Sequence, residues 1–287
     1  MARQPNDLNA AFWNELMSGK HQRRNRRKRV ATCIYCGFVG PGLSKEHVVA
    51  HALGGTEELL YASCHSCRDV TSNFEADVAR HAYGAYRSRH LFPTRRPNER
   101  QSDFEVRYVF PDDSFIDERL PIEQYPSVLL ALRLPPPGIM TGQSPTSARP
   151  AIEVDVIGDG EEIRKVQQRH PAAVGWYLTD AWAQNPELMA WPFVRMLAKI
   201  AHVWLHKIVR LEVHEPLLNG IILGTDQNIS YLVGGIDGTK LSPPNANEVV
   251  VPFITADSEM GFVLNLLPGR LPPYVVIAAR PRPPAQA

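Results

Sequence analysis

Cysteine is scarce in this chain of 287 residues: there are four, Cys33, Cys36, Cys64 and Cys67. That excludes a disulfide scaffold as the main source of stability, and a content of 44% apolar residues supplies ordinary cores instead. Net charge is scant as well, at +1, so the chain is neither uniformly basic nor uniformly acidic. No apolar run is long enough to span a bilayer, and the first residues are polar and then basic, without the apolar stretch of an export signal. The expectation is a soluble, cytoplasmic protein. From residue 104 onward there is no phosphate-cradling glycine loop, no Ser-His-Asp order and no zinc-protease motif, which removes the enzyme classes built on them.

The charge that is present is unevenly spread. Residues 1–110 hold 17 Lys and Arg against 11 Asp and Glu, whereas residues 111–287 hold 14 against 19. Much of the basic excess lies between Lys20 and Arg29, where Arg23, Arg24, Arg26, Arg27, Lys28 and Arg29 repel one another until an anion neutralises them. Residues 1–31 are expected to form a flexible basic leader that meets nucleic-acid phosphates, since phosphate neutralisation releases counterions. A merely solvated leader is the alternative.

The cysteines form two C-x2-C pairs separated by 27 residues. Each pair aims two thiolates at one point, and two pairs complete a closed tetrahedron, so a structural zinc on Cys33, Cys36, Cys64 and Cys67 is expected. A redox-dithiol reading needs a βαβ setting that the sequence does not offer. Between the pairs, Leu43–Val49 suits a strand, Gly54-Gly55 marks a turn or bulge, and Leu59–Ser63 suits a return strand. After the second pair, Val70, Phe74 and Val78 recur at helical spacing from Asp69 to about Arg87.

Knuckle, strand, loop, strand, knuckle and helix, with Glu46-His47 on the first strand, resemble the HNH endonuclease family over about Thr32 to Gly84. The wording Ala62-Ser63-Cys64, Thr71-Ser72, Phe74-Glu75 and Arg195–His202 is similar to an uncharacterised bacterial branch of that family. The resemblance implies a ββα-metal fold in which Glu46 holds a divalent cation, Mg²⁺ or Mn²⁺, and His47 acts as general base in phosphodiester hydrolysis. These residue types suit the chemistry, because imidazole is neutral near pH 7 and hard oxygen ligands suit such cations. The implied partner is nucleic acid, double-stranded DNA in particular.

Two departures from the family pattern stand out. Leu60-Tyr61-Ala62 replaces a stretch that often holds Asn, and Arg68 stands where the family has His or Asn. Arginine cannot ligate a cation, so Arg68 is read as a phosphate contact, and the second metal ligand is expected further along the helix. Glu75, seven residues on, shares that face better than Asn73, with Thr71 and Ser72 near enough to bind phosphate. A catalytically degenerate zinc-knuckle protein that binds nucleic acid is the competing expectation.

Other residues leave two readings open. His51 is a bystander or a phosphate contact, and His65 faces solvent or phosphate. Arg87, Arg89, Arg95, Arg96 and Arg100 form either a phosphate-binding arm or ordinary surface.

The expected fold class is α+β: a zinc-stapled unit with its basic arm over 32–100, a larger α+β domain over 101–280, and a tail over 281–287. Strands are expected at Phe104–Phe110, Ser127–Leu134, Ala151–Ile157, Gly220–Leu223, Ile229–Val233, Val249–Ile254, Gly261–Leu267 and Tyr274–Ala279. One strong helix, about Pro186 to Ile208, carries an apolar stripe of Phe193, Leu197, Ile200, Trp204 and Ile208. Its second stripe, Arg195, Lys199, His202 and His206, is expected to be a solvated face rather than a surface against nucleic acid or a partner.

Overall fold

The structure, a computed structural model, describes residues 27–145, 152–209, 214–239, 241 and 249–282. Arg23, Arg24 and Arg26 lie outside the described residues, as do the side chains of Arg27 and Lys28. Helices mixed with largely antiparallel sheets make the fold α+β. No helix among the described residues is long and apolar enough to cross a membrane.

The first sheet has three strands. β1 (Arg27–Arg29) lies parallel to β3 (Glu58–Ser63), which pairs on its other edge with antiparallel β2 (Ser44–His47). The end of the expected leader is therefore a strand: backbone pairing with an apolar-rich neighbour fixes Arg27–Arg29 despite their charge. The β2–β3 connection is a turn at His51–Leu53 closed by Gly54 at φ +84°. A side chain at Gly55 would put Cβ 1.9 Å from the Val49 carbonyl oxygen, so Gly55 is required by close backbone approach and Gly54 by its left-handed φ. Helix α1 (His65–Asp77) starts directly from Cys64, four residues earlier than its apolar periodicity indicates, and passes through a wide turn at Val78–Ala82 into α2 (Gly84–Arg89).

Beyond this lie β4 (Asp103–Val109), flanked by antiparallel β5 (Phe115–Pro121) and β8 (Gly175–Leu178), and the ribbon of β6 (Leu129–Arg133) with β7 (Glu153–Ile157). α3 (Gly160–Arg169) is capped by Asp159, which accepts from the amides of Glu161 and Glu162. A short α4 (Ala181–Gln184) precedes α5 (Pro186–Ile208), 23 residues long and capped by Asn185, which accepts from the Glu187 amide. Pro192 falls inside α5 without ending it.

The remainder is β9 (His214–Pro216), α6 (Asn219–Leu223), α7 (Ile229–Leu232), β10 (Val233–Gly235), β11 (Val250–Ile254), β12 (Met260–Leu264) and β13 (Tyr274–Pro281). These strands form one sheet in the order β10-β13-β12-β11, with β9 on β13. Gly220–Leu223 and Ile229–Leu232 are helices rather than the expected strands. Such short apolar runs carry no period that separates the two states, and tertiary burial decides.

Buried residues from Cys33 to Ala279 form one connected cluster. α5 runs through it, packed against α1 on one side and against β6, β12 and β13 on others. Met189, Phe193, Met196, Leu197, Ile200 and Leu205 are fully or almost fully buried there. The cysteine-bearing unit is thus joined to the rest by a shared core, and α5 is the junction.

Candidate metal centre and buried charge cluster

One sulfur from each of Cys33, Cys36, Cys64 and Cys67 lies within 4.8 Å of the others, and none is in a disulfide. Cys36 Sγ and Cys64 Sγ are 3.7 Å apart. A tetrahedral ion with metal–sulfur bonds of about 2.3 Å requires sulfur–sulfur edges of roughly 3.8 Å, so the set can hold a metal such as zinc. Burial pushes the Cys67 thiol far up, and the neighbouring sulfurs add to this. The geometry follows from the chain: the Cys33 amide donates to the Phe38 carbonyl across the first knuckle, and the Ile34 amide donates to the Ala62 carbonyl, bringing that knuckle to the end of β3. Among the described residues this is the one group of three or more His, Cys, Asp and Glu placed to hold a metal ion.

Glu46 and Glu75 also come together, but on a different cation. The Lys199 ammonium, from α5, lies 2.9 Å from Glu46 Oε1 and 2.8 Å from Glu75 Oε1, and its side chain is 0% exposed. It donates as well to the backbone carbonyl of His47 and, at 3.4 Å, to that of Val48. Burial alone pulls the Lys199 pKa down, yet the two carboxylates more than offset it and leave the group raised and charged. Burial pushes the Glu75 carboxyl up, with Lys199 opposing and Glu46 adding, as expected where two acids share one cation. These carboxylates do not fit a divalent ion in this arrangement, because the ammonium already sits between them.

Adjacent strand residues alternate in direction, and Glu46 and His47 do so. Glu46 turns inward and is 5% exposed. His47 turns to the other face, where its Nε2 is 3.1 Å from Glu58 Oε1 and its ring lies 5.7 Å from that of His51. A register shift between Ser44 and Glu46, opposite Tyr61 with its φ of +55°, distorts the strand pair but leaves the alternation at 46 and 47 intact. Burial lowers the His47 pKa, although Glu58 opposes, so the ring is neutral near pH 7.

The remaining expected contacts divide plainly. Asn73 is exposed. Thr71 is buried, and its hydroxyl donates to the Arg68 carbonyl, as does that of Ser72, so neither hydroxyl is set aside for phosphate. Arg68 is 43% exposed, and His65 faces solvent with its Nδ1 2.9 Å from Asp69. Of the basic arm, Arg87 donates to the Ala52 and Ala79 carbonyls, Arg89 to Ile122, Tyr125 and Glu162, and Arg100 to Arg87 and Phe92. Those three are internal braces, whereas Arg95 and Arg96 are exposed.

The second stripe of α5 is not a solvated face, and that expectation is corrected. Arg195 donates to the Ile222 carbonyl with its guanidinium over the Phe74 ring, and Lys199 and His202 are fully buried. His202 Nε2 lies 2.9 Å from the Ile34 carbonyl oxygen inside the first knuckle, its ring stacked on Tyr35 at 5.5 Å and 4.6 Å from that of His206. Lys199 and His202 therefore clamp α5 onto β2 and onto the first cysteine knuckle. The sequence held a signal for this: Lys199 is the single charge in the apolar run Met196-Leu197-Ala198-Lys199-Ile200-Ala201, where a solvated face would interrupt the run more often.

Burial pushes the His202 pKa down to about 4, with its hydrogen bond to Ile34 opposing. Its folded value lies below its unfolded value, so the unfolded state binds the extra proton between the two. Stability from this residue is full above about pH 6.5 and is lost as pH falls from there toward 4, at about 1.4 kcal/mol per pH unit. Urea unfolding at pH 7 and pH 5 should show a smaller acid loss in His202→Gln than in the wild type; equal losses would contradict a buried neutral imidazole.

No family model, no curated protein and no solved structure matches this chain, so its site is read from its own geometry.

Proposed function

We propose that this protein engages nucleic acid through a zinc-stapled unit of the HNH type and has given up metal-dependent cleavage. The observation that carries the reading is Lys199: its ammonium stands between Glu46 and Glu75, where the HNH resemblance calls for Mg²⁺ or Mn²⁺. The cysteine tetrahedron supports a structural rather than catalytic metal, because four protein ligands leave no open position. The nucleic-acid partner rests on the basic run Lys20–Arg29 and exposed Arg68, with double-stranded DNA the partner that the resemblance implies.

A second reading, an endonuclease with His47 as general base, has one observation in its favour. His47 is neutral near pH 7 and oriented by Glu58, the state a base needs before it takes a proton from water. The two readings separate in one assay, in which zinc-loaded protein is incubated with supercoiled plasmid and Mg²⁺ or Mn²⁺ while binding is followed by gel shift. Binding without nicking, unchanged in His47→Ala, is expected. Nicking that disappears in zinc-replete His47→Ala would establish the endonuclease instead.

A further inference from the structure

The open face of the β1-β3-β2 sheet carries a combination that neither the metal centre nor the buried cluster uses. Register places Arg29 beside Leu60, and alternation places Lys45 and His47 on the same side as Glu58. Both Lys45 and His47 reach Glu58 Oε1, at 2.6 and 3.1 Å. Lys45 is nonetheless 54% exposed, and Glu58, at 12%, is the one carboxylate among these side chains. β1 is also the continuation of the basic run that begins at Lys20. With His47 neutral, Arg29 and Lys45 outnumber Glu58 by one positive charge, so the face favours an anionic partner.

Tyr61 gives that face a second property. Its ring is 46% exposed, and the Arg29 guanidinium lies 5.3 Å from the ring centroid. Its φ of +55° is a conformation that bulky side chains rarely adopt, held here by the β3 bulge opposite Lys45. The chain keeps a large aromatic, at a position where glycine would be relaxed, and presents it to solvent rather than burying it.

We infer that this sheet face is a stacking platform for an unpaired base of a nucleic-acid strand, with Tyr61 under the base and Arg29 and Lys45 meeting the flanking phosphates. The inference deepens the nucleic-acid reading above and rests on it. An aromatic ring can stack only on a base whose face is open. A duplex hides its base faces and offers phosphates and groove edges, so what this face takes is a single-stranded stretch, whatever the basic run meets elsewhere. A strand on this face would also pass His47, which lies on the same side.

Fluorescence anisotropy with the full zinc-loaded chain tests the platform, using a labelled DNA single strand of about 20 nucleotides and the same sequence as a duplex. The single strand should bind more tightly. Tyr61→Trp should keep its affinity, and Tyr61→Ala should weaken it on the order of 10-fold while leaving duplex binding within about two-fold. Tyr61→Gly separates binding from folding, because it relieves the backbone strain and should hold or raise the melting temperature while losing the same affinity. Equal affinity for both probes, or equal loss on both in the Tyr61 variants, would overturn the platform and leave the nucleic-acid reading standing. Binding of neither probe would overturn both.

Discussion

Lys199→Met should destabilise the protein by about 3–5 kcal/mol, the loss expected when one partner of a buried ion pair is removed and the other is left uncompensated. Here two carboxylates lose their cation at once, and the His47 and Val48 carbonyls lose a donor. The loss should be visible as a lower urea midpoint at pH 7. It should shrink at acid pH, because a protonated carboxyl no longer needs the ammonium. The triple variant Lys199→Met, Glu46→Leu, Glu75→Leu should recover a large part of the stability, since an apolar replacement of a whole buried ionic group is often neutral or better. A single variant as stable as wild type would mean that the cluster is not buried as described.

Removing the metal should cost more. The binding energy of a structural zinc, on the order of 10 kcal/mol, is comparable to the whole stability of a typical domain. Because the buried cluster is continuous from Cys33 to Ala279, loss of the ion should loosen the contact between α5 and the first knuckle as well as the knuckle itself. Elemental analysis should find one zinc per chain. Chelation, or Cys67→Ser, should abolish the cooperative melt or lower it steeply, and an unchanged melt after complete zinc removal would contradict the staple.

The parts of the fold legible in the sequence are those fixed by short-range chemistry. Cysteine spacing sufficed to bring the four sulfurs together because each knuckle's geometry is local, and the glycine pair marked the turn that Gly54 closes at φ +84°. α5 was legible from Pro186 to Ile208 because its apolar period is sustained over six turns. The parts that stayed hidden depend on partners far along the chain. Glu46 and Glu75 read as metal ligands because carboxylates on a strand and a helix look alike whether a divalent ion or Lys199, more than 120 residues away, lies between them. The basic stripe of α5 read as solvated because burial of charge is set by what packs on the helix, not by its own period. Of the strands that flank β4, β5 has the consecutive charges Asp117-Glu118-Arg119, which break alternation, and β8 is four residues long, too short to show a period.

The central claim is that Lys199 occupies the place of a catalytic cation, and a Mn²⁺ titration of the zinc-loaded protein, followed by the electron paramagnetic resonance signal of the free ion, tests it most directly. The account predicts no saturable site that depends on Glu46 or Glu75, so Glu46→Gln and Glu75→Gln should leave the titration curve where the wild type has it. One Mn²⁺ bound per chain in the wild type, and lost in either variant, would contradict it.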